Sequence, residues 1–501
     1  MGELFNRSAD RQRLRESFMR AVRGRFMIGF SFCFYWIWTI LCCTGPDVDV
    51  GVLGIVGLPI VPAWFLPLIC MALASAVIAV HFKMTRMVID NPVWLVVLTA
   101  VMVMAALLHI AWVIEADGTN FVSCTLYLLS SFLVGVSTAL FRVEIDRVFG
   151  WVGTQQTLYQ GIIGTLLGAT LLLLLSFASE WFVYAMQLVA APCAVLFLWR
   201  VIGGLPKRRL YHAGCDVKLH FPLKFVATSF VQGAALGAMY FASFAAGSDA
   251  ISALGSFIGR VIAVLVLFVS IVFVRLDFNR LIYKGAFPLV AYGFFAIASF
   301  PLMPMFGGIV LIVGFCLLDL VLWSLGACLM KNMGLPAPWI ASCPGAALFF
   351  GVLLGSVCMH ALGSLRVDLP IAFDASGYFV ACALLATALF LSSSSNMKYG
   401  WGTIRPGDGG LSEHGFESTV RFLAAEHELT NRETEVCQLL ALGKTRRFIC
   451  DDLTVSRDTV KTHVRSIYRK LSVHSQQELI DLVGREREKL IPDQPEDDSF
   501  V

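Results

Sequence analysis

The sequence predicts an all-α chain of two unlike parts, a polytopic bundle of membrane helices followed by a small helical domain. Three observations carry this expectation. Apolar runs of about 20 residues follow one another from Phe26 to about Leu391, each long enough for a hydrocarbon layer about 30 Å thick. Only 15% of the 501 residues are charged, too few to solvate a soluble protein with so many apolar runs. The chain then reads TVSRDTVKTHVRSIYRKL at 454–471, basic and amphipathic with a helical period.

The apolar part resolves into twelve candidate spans near 26–43, 57–80, 92–114, 120–141, 155–177, 181–203, 221–246, 251–274, 285–304, 307–330, 339–361 and 371–392. Each is expected to be a helix, because backbone exposed to lipid must satisfy its own hydrogen bonds. Basic residues precede the first span (Arg7 to Arg25) and recur in alternate loops: Lys83 and Arg86, Arg142 and Arg147, Lys207 to Lys218, Arg275 to Lys284, and Lys331. The intervening loops carry Asp47, Asp49, Glu115, Asp117, Glu180 and Asp249, with Arg366 against the trend. The bias places both termini in the cytoplasm, at the inner membrane.

The longest basic loop, about 204–220, divides the spans six plus six. This layout resembles the major facilitator architecture of two six-helix halves. The family's Gly/Asp/Arg-rich loop motif is absent from HFKMTRMVIDNP after the second span, and VRLDFNRLIYKG after the eighth keeps only Asp277 and Arg280 of it. Two charges lie deep in spans, Arg260 in the eighth and Asp319 in the tenth. Charges at that depth face a partner or a wet cavity, so the two are expected either to pair with each other or to serve a small-molecule ligand. His109 and His360 read as packed or interfacial side chains. The fourteen cysteines are scattered without a CxxC pair and read as small hydrophobes, with no disulfide framework and no metal site.

After the last span, SSSSNMKYGWGTIRPGDGG lacks periodicity and reads as a tether; FESTVRFLAAEHE (416–428) could form a lead-in helix. The organisation expected is thus a basic tail 1–25, membrane spans 26–392, a linker 393–428, a helical domain 429–484 and an acidic tail 485–501. Within the domain, Thr430 and Glu433 form a T-x-x-E capping box. Val436, Leu439 and Leu440 give the first helix its apolar face, and Gly443 stops it. A short second helix follows at about 445–452, then a turn at Thr454–Ser456, with Ser456 as N-cap of the third. Val460, Val464, Ile467 and Leu471 form the buried stripe of that third helix, with Lys461, Thr462, Arg465 and Arg469 on the opposite face. Ser475 and Glu478 cap a fourth helix.

Helix, short helix, turn and basic helix make a helix-turn-helix, whose second element lies in the DNA major groove. The strings L-T-x-R-E-x-E-V, S-x-x-T-V-K-x-H and I-Y-x-K-L are similar to the LuxR-type four-helix DNA-binding domain over about 55 residues. The resemblance implies base contacts from Lys461, Thr462 and Arg465. It places Thr459, Arg469 and Lys470 nearer phosphates, with Ser456 at the helix start. It also implies double-stranded DNA as partner and pairing of two copies through the last helix. Cys450, Ser472 and Gln476 depart from the family's usual Ala, Gly and Arg.

Two functions follow. One is a bacterial, membrane-tethered, one-component transcription regulator whose spans sense a small molecule or the membrane state. The other is a transporter whose helix-turn-helix only docks or dimerises. The groove-facing triad favours the first. No nucleophile–base set, phosphate loop or metal spacing points to an enzyme or a cofactor.

Overall fold

The computed structural model describes residues 26–46, 48–49, 60–82, 93–115, 121–203, 223–245, 253–271, 277–300, 304–333, 337–365, 372–392, 413–441, 446–453 and 456–490. The basic N-terminal tail, the loops holding Lys83, Arg86, Lys207 to Lys218 and Arg366, the tether 393–412 and the last eleven residues lie outside the described residues. The chain divides into two compact units, the apolar helices in one and the residues from Gly410 onward in the other.

Every one of the twelve expected spans holds a helix. In chain order these are α1 Phe26–Leu41, α2 Phe65–Val80, α3 Trp94–Ile114, α4 Phe121–Val152, α5 Thr154–Leu175, α6 Glu180–Gly203, α7 Leu223–Ala245, α8 Ala253–Val269, α9 Arg280–Ser299, α10 Pro304–Met333, α11 Ala337–Leu365 and α12 Ala372–Leu391. Seven of them (α3, α4, α5, α6, α9, α10 and α11) are long and apolar enough to cross a membrane by length and composition. The chain is a multi-pass membrane protein of the all-α class.

Three local departures have plain causes. The second span was expected to be helical from 57, but Ile60–Val61 forms a two-residue ladder (β2) antiparallel to Val48–Asp49 (β1). Pro59 and Pro62 bracket it and exclude the helix, which starts at Phe65. The segment 142–152, expected as a loop, instead continues α4 to a length of 32 residues. The break comes at Gly153, whose φ of 89° is open to glycine. Arg142 and Arg147 are therefore largely buried helix residues rather than loop charges, and the topology bias loses that loop. The third departure is at the start of α9, where Arg280–Ala286 winds as a π-helix. Asp277 accepts from the Arg280 backbone N–H at 2.7 Å and pairs with its guanidinium at 3.5 Å, so this remnant of the loop motif serves as a local cap.

The core of the membrane unit is aromatic where α1, α4 and α10 meet. Phe32, Phe149 and Trp323 lie with ring centroids 5.3–5.8 Å apart, the spacing of favourable edge-to-face contacts. Elsewhere the packing is made by glycine. A Cβ at Gly233 or Gly237 of α7 would strike the Leu348 or Val352 carbonyl oxygen of α11, and one at Gly351 or Gly355 would strike Phe230 or Ala234 of α7. The two backbones therefore touch along a G-x-x-x-G seam on both helices. Ser356 Oγ crosses the seam and donates to Gly237 O at 3.1 Å. His109 is packed as expected, its Nδ1 3.0 Å from Gln187 Nε2 and its ring edge-on to Trp112, whereas His360 is exposed.

Among the described residues the second unit has five helices: α13 Glu413–Glu426, α14 Asn431–Ala441, α15 Arg446–Leu453, α16 Arg457–Leu471 and α17 Gln476–Leu490. Its core runs from Val420 and Leu423 of α13 to Leu479 and Val483 of α17. The lead-in helix is thus built into the domain and packs on α14 and α17, because its apolar face supplies Thr419, Val420, Leu423 and Ala424 to the interior. Residues 413–426 belong to the folded domain rather than to a linker, and 485–490 extend the last helix rather than begin a tail. Burial pushes the Cys437 thiol up to about 12, so it is a neutral, packed side chain.

Candidate functional site

The helix-turn-helix is α15 and α16, set in place by caps that were legible in sequence. Thr430 N–H donates to Glu433 Oε2 at 2.8 Å and Glu433 N–H to Thr430 Oγ1 at 3.3 Å, the reciprocal box at the start of α14. Arg432 donates to Leu453 O at 2.8 Å and satisfies the carbonyl end of α15. Ser456 Oγ accepts from Thr459 N–H at 3.1 Å and starts α16. Glu478 N–H donates to Ser475 Oγ at 3.1 Å at the head of α17. Gln476, in place of the family's Arg, donates to Leu440 O at 2.9 Å and ties α17 to the end of α14.

Val460, Val464, Ile467 and Leu471 of α16 are buried. Ser456, Thr459, Lys461, Thr462, Arg465 and Arg469 are exposed. Lys461, Arg465 and Arg469 recur every four residues, so three cations rise along one open face, with Thr462 beside them donating its hydroxyl to Asp458 O at 2.9 Å. Lys470 differs from expectation. Its ammonium turns inward, donating to Glu433 Oε2 and to Glu428 O, both at 2.8 Å. A carboxylate buried at 6% exposure needs such a partner more than a phosphate does, and Lys470 is a strut of the fold. The other residues predicted for this helix, Ser456, Thr459, Lys461, Thr462, Arg465 and Arg469, are exposed.

Helix α16 ends at Ser472, in the left-handed region (φ 54°, ψ 40°), its N–H bonded to Arg469 O and Tyr468 O. A Cβ there costs about 1–2 kcal/mol relative to glycine, offset in part by the greater unfolded-state freedom of glycine. Ser472 is exposed, so Ser472→Gly should stabilise the domain by about 0.5–1 kcal/mol, roughly 4 °C in the thermal midpoint of a 412–501 fragment. An unchanged or lower midpoint would contradict this account of the cap.

In the membrane unit, Arg260 and Asp319 do not form an ion pair. Arg260 donates to Ser256 Oγ and, at 3.5 Å, to Ser256 O on its own helix. Asp319 instead lines a cavity shared with Arg142 and Asp146 of α4, Ser229 and Gln232 of α7, and Trp323 of α10. The Arg142 guanidinium lies over the Trp323 ring, 4.8 Å from its centroid, and 4.0 Å from Asp146. Arg142, Asp146 and Gln232 were missed in sequence. Their signal was a charged i, i+4 pair in the continuation of an apolar run, which reads as a loop unless the helix is known to continue.

Exposed cations on a capped helix, with a short helix before it, are the arrangement of a DNA-binding helix-turn-helix. Residues 427–483 match the bacterial regulatory proteins of the luxR family (GerE), so the C-terminal domain is LuxR-type in sequence. The chain is 51% identical over 57 residues to the uncharacterized response regulatory protein YgeK of Escherichia coli K12, covering 11% of this chain and 39% of that protein. It is 39% identical over 69 residues to the transcriptional regulatory protein DegU of Brevibacillus brevis, 14% and 29% of the two chains. With the virulence factors putative positive transcription regulator BvgA of Bordetella pertussis the identity is 44% over 57 residues, 11% and 27%. The chain thus spans well under half the length of these curated relatives. Among solved structures it is similar to the Major Facilitator Superfamily transporter FucP in the outward conformation (TM-score 0.45, 13% identity, 75% of this chain and 100% of that one). A double-tryptophan variant of XylE gives a TM-score of 0.47 at 13% identity, over 76% and 95% of the chains.

Proposed function

We propose that the chain is a membrane-tethered transcription regulator of the one-component kind. Its C-terminal domain reads DNA in the major groove, and its membrane helices receive the signal, a small molecule or a state of the bilayer. The observation that carries this reading is the open face of α16, where Lys461, Thr462 and Arg465 stand exposed opposite a fully buried stripe. A docking module has no need to keep two cations and a hydroxyl clear of the fold. In this reading Lys461, Thr462 and Arg465 contact bases, while Ser456, Thr459 and Arg469 contact phosphates. Two copies pair through α17, where Ile480 is half-buried and belongs to no core cluster. The protein sits in the inner membrane with both termini cytoplasmic; a reporter fused after Ser393 that faced outward would overturn that orientation and the regulator with it.

The test is a salt titration of the 412–501 fragment on an operator, mapped by where the intact protein sits on the genome, and on a scrambled duplex. Base contacts discriminate by about 1–3 kcal/mol each, whereas each phosphate contact contributes about 0.9 to the salt slope without sequence preference. Arg465→Ala should lose specific affinity by roughly tenfold or more and relax one or two operator positions. Arg469→Ala should weaken both duplexes alike and lower the slope by about one. The same titration should show two copies on a two-half-site operator. If Arg465→Ala binds both duplexes as the parent does, the docking reading takes its place.

A further inference from the structure

The open face of α16 carries a cation that the reading of bases and phosphates does not use. Arg457, in the first turn, is exposed like Lys461, Arg465 and Arg469, and the four recur at intervals of four. Each interval advances the helix by about 6 Å and turns it about 40° beyond a full turn. All four therefore fall within an arc of about 120° over about 18 Å, and can meet a single plane. Asp458 is the only acid of the helix, and Lys470 is turned inward on Glu433. Four outward cations against one acid leave a net charge of +3 on this face. No large apolar side chain stands exposed in this unit among the described residues, so a flat partner of the face is held by charge and not by insertion.

We propose that this row lies on the anionic headgroups of the cytoplasmic leaflet whenever it is not on DNA, so that lipid and DNA compete for one face. The proposal rests on the regulator reading and its cytoplasmic orientation. In that reading residues 393–412 join the domain to α12, and twenty residues span at most about 70 Å. The domain is thus confined beside the bilayer, at an effective concentration on the order of millimolar. Each Lys or Arg brought to an anionic surface strengthens adsorption about fivefold, so three net charges give roughly a hundredfold. Adsorption of that size is marginal and reversible for a free domain, and becomes stable when a second attachment is present; the membrane helices are that attachment. Without an apolar anchor the contact yields to salt and to a stronger polyanion, as a resting state must. A signal that lifts the domain or depletes the leaflet of anionic lipid then frees the face for DNA.

The experiment uses the full chain in lipid nanodiscs, with a fluorescent amino acid in place of the exposed Ala425 and an acceptor dye on a fixed fraction of headgroups. Energy transfer should be about twofold or more higher in discs of phosphatidylglycerol and phosphatidylcholine in equal parts than in phosphatidylcholine alone. The excess should vanish at about 0.5 M salt, where charges are screened within about 4 Å, and should fall as duplex DNA is added. Combining Arg457→Gln, Lys461→Gln, Arg465→Gln and Arg469→Gln should abolish it; the salt arm needs no variant. Equal transfer in the two discs, an excess unmoved by salt, or one that DNA fails to reduce overturns the proposal. Transfer that appears only after removal of 491–501 gives the face to that acidic segment and overturns it too. Operator binding with lipid-independent transfer sinks this inference alone. Lipid-dependent transfer without operator binding upholds the lipid contact and sinks the regulator.

Discussion

Gly237→Ala is expected to cost about 3 kcal/mol or more, the range reached only by a core that cannot relax, and to remove most of the folded protein from detergent extracts. The added methyl meets the Val352 carbonyl oxygen of α11, a backbone atom that no side-chain rotation can move. Lipid offers no hydrophobic drive to hold two helices together, so α7 and α11 depend on close contact and on bonds such as Ser356 Oγ to Gly237 O. A single Cβ parts the backbones and forfeits both along the whole seam. Gly351→Ala should behave alike, since its Cβ meets the Phe230 carbonyl from the other side. Gly203→Ala is the control: nothing lies within 4 Å of its Cβ, and the folded yield should match the parent. Heating followed by fluorescence-detected size exclusion reads the difference. Equal yields for Gly203→Ala and Gly237→Ala would mean that the seam is not the contact described.

The second large effect is expected in acid. Burial alone would raise the Glu433 carboxyl, but hydrogen bonds from the Lys470 ammonium, the Ser466 hydroxyl and Thr430 outweigh it and hold its pKa at about 2. A carboxyl depressed by folding stabilises the folded state above its unfolded pKa of about 4.5, and that contribution is lost as pH falls through the folded value. The difference corresponds to about 3 kcal/mol, present in full near neutrality and lost between about pH 4.5 and pH 2. Glu433→Gln should therefore destabilise the 412–501 fragment by about that amount at pH 7 and converge with the parent near pH 2. Urea denaturation at a series of pH values tests it. Parallel stability curves would show that Lys470 and Glu433 are not coupled as the structure has them.

The sequence and the structure agree where a signal is local. The capping box at Thr430, the caps at Ser456 and Ser475 and the α16 stripe are each set by residues a few positions apart, and all stand as read. The apolar runs likewise each produced a helix. Agreement fails where the deciding contact is remote. Lys470 reads as a surface cation because Glu433 lies 37 residues away, and nothing local announces that pairing. Arg260 and Asp319 read as partners or as ligand groups because they share an apolar setting, but which carboxylate faces which guanidinium depends on how α4, α8 and α10 pack. The stretch from Arg142 to Arg147 misled for a different reason. Its opposite charges stand beside one another at helical spacing, Arg147 with Glu144 at 2.8 Å and Arg142 with Asp146 at 4.0 Å, and a hydropathy pattern cannot distinguish such a segment from a charged loop. Pro59 and Pro62 could have been read correctly, since two prolines three residues apart exclude a helix before Phe65.

The unbroken run of α4 has a mechanical meaning. Its 32 residues span about 48 Å at 1.5 Å per residue, half as long again as the hydrocarbon layer of about 30 Å. Rods of this length multiply small angles. Tilting α4 by about 5° around its Phe121 end carries its Val152 end sideways by about 4 Å. That is close to the distance now separating Arg142 from Asp146. Gly153 lets the chain turn back into α5 immediately afterwards, so the stroke is delivered at a sharp corner and is not taken up by a long loop. A modest change at one face of the bilayer thus arrives at the other as a displacement large enough to remake a contact.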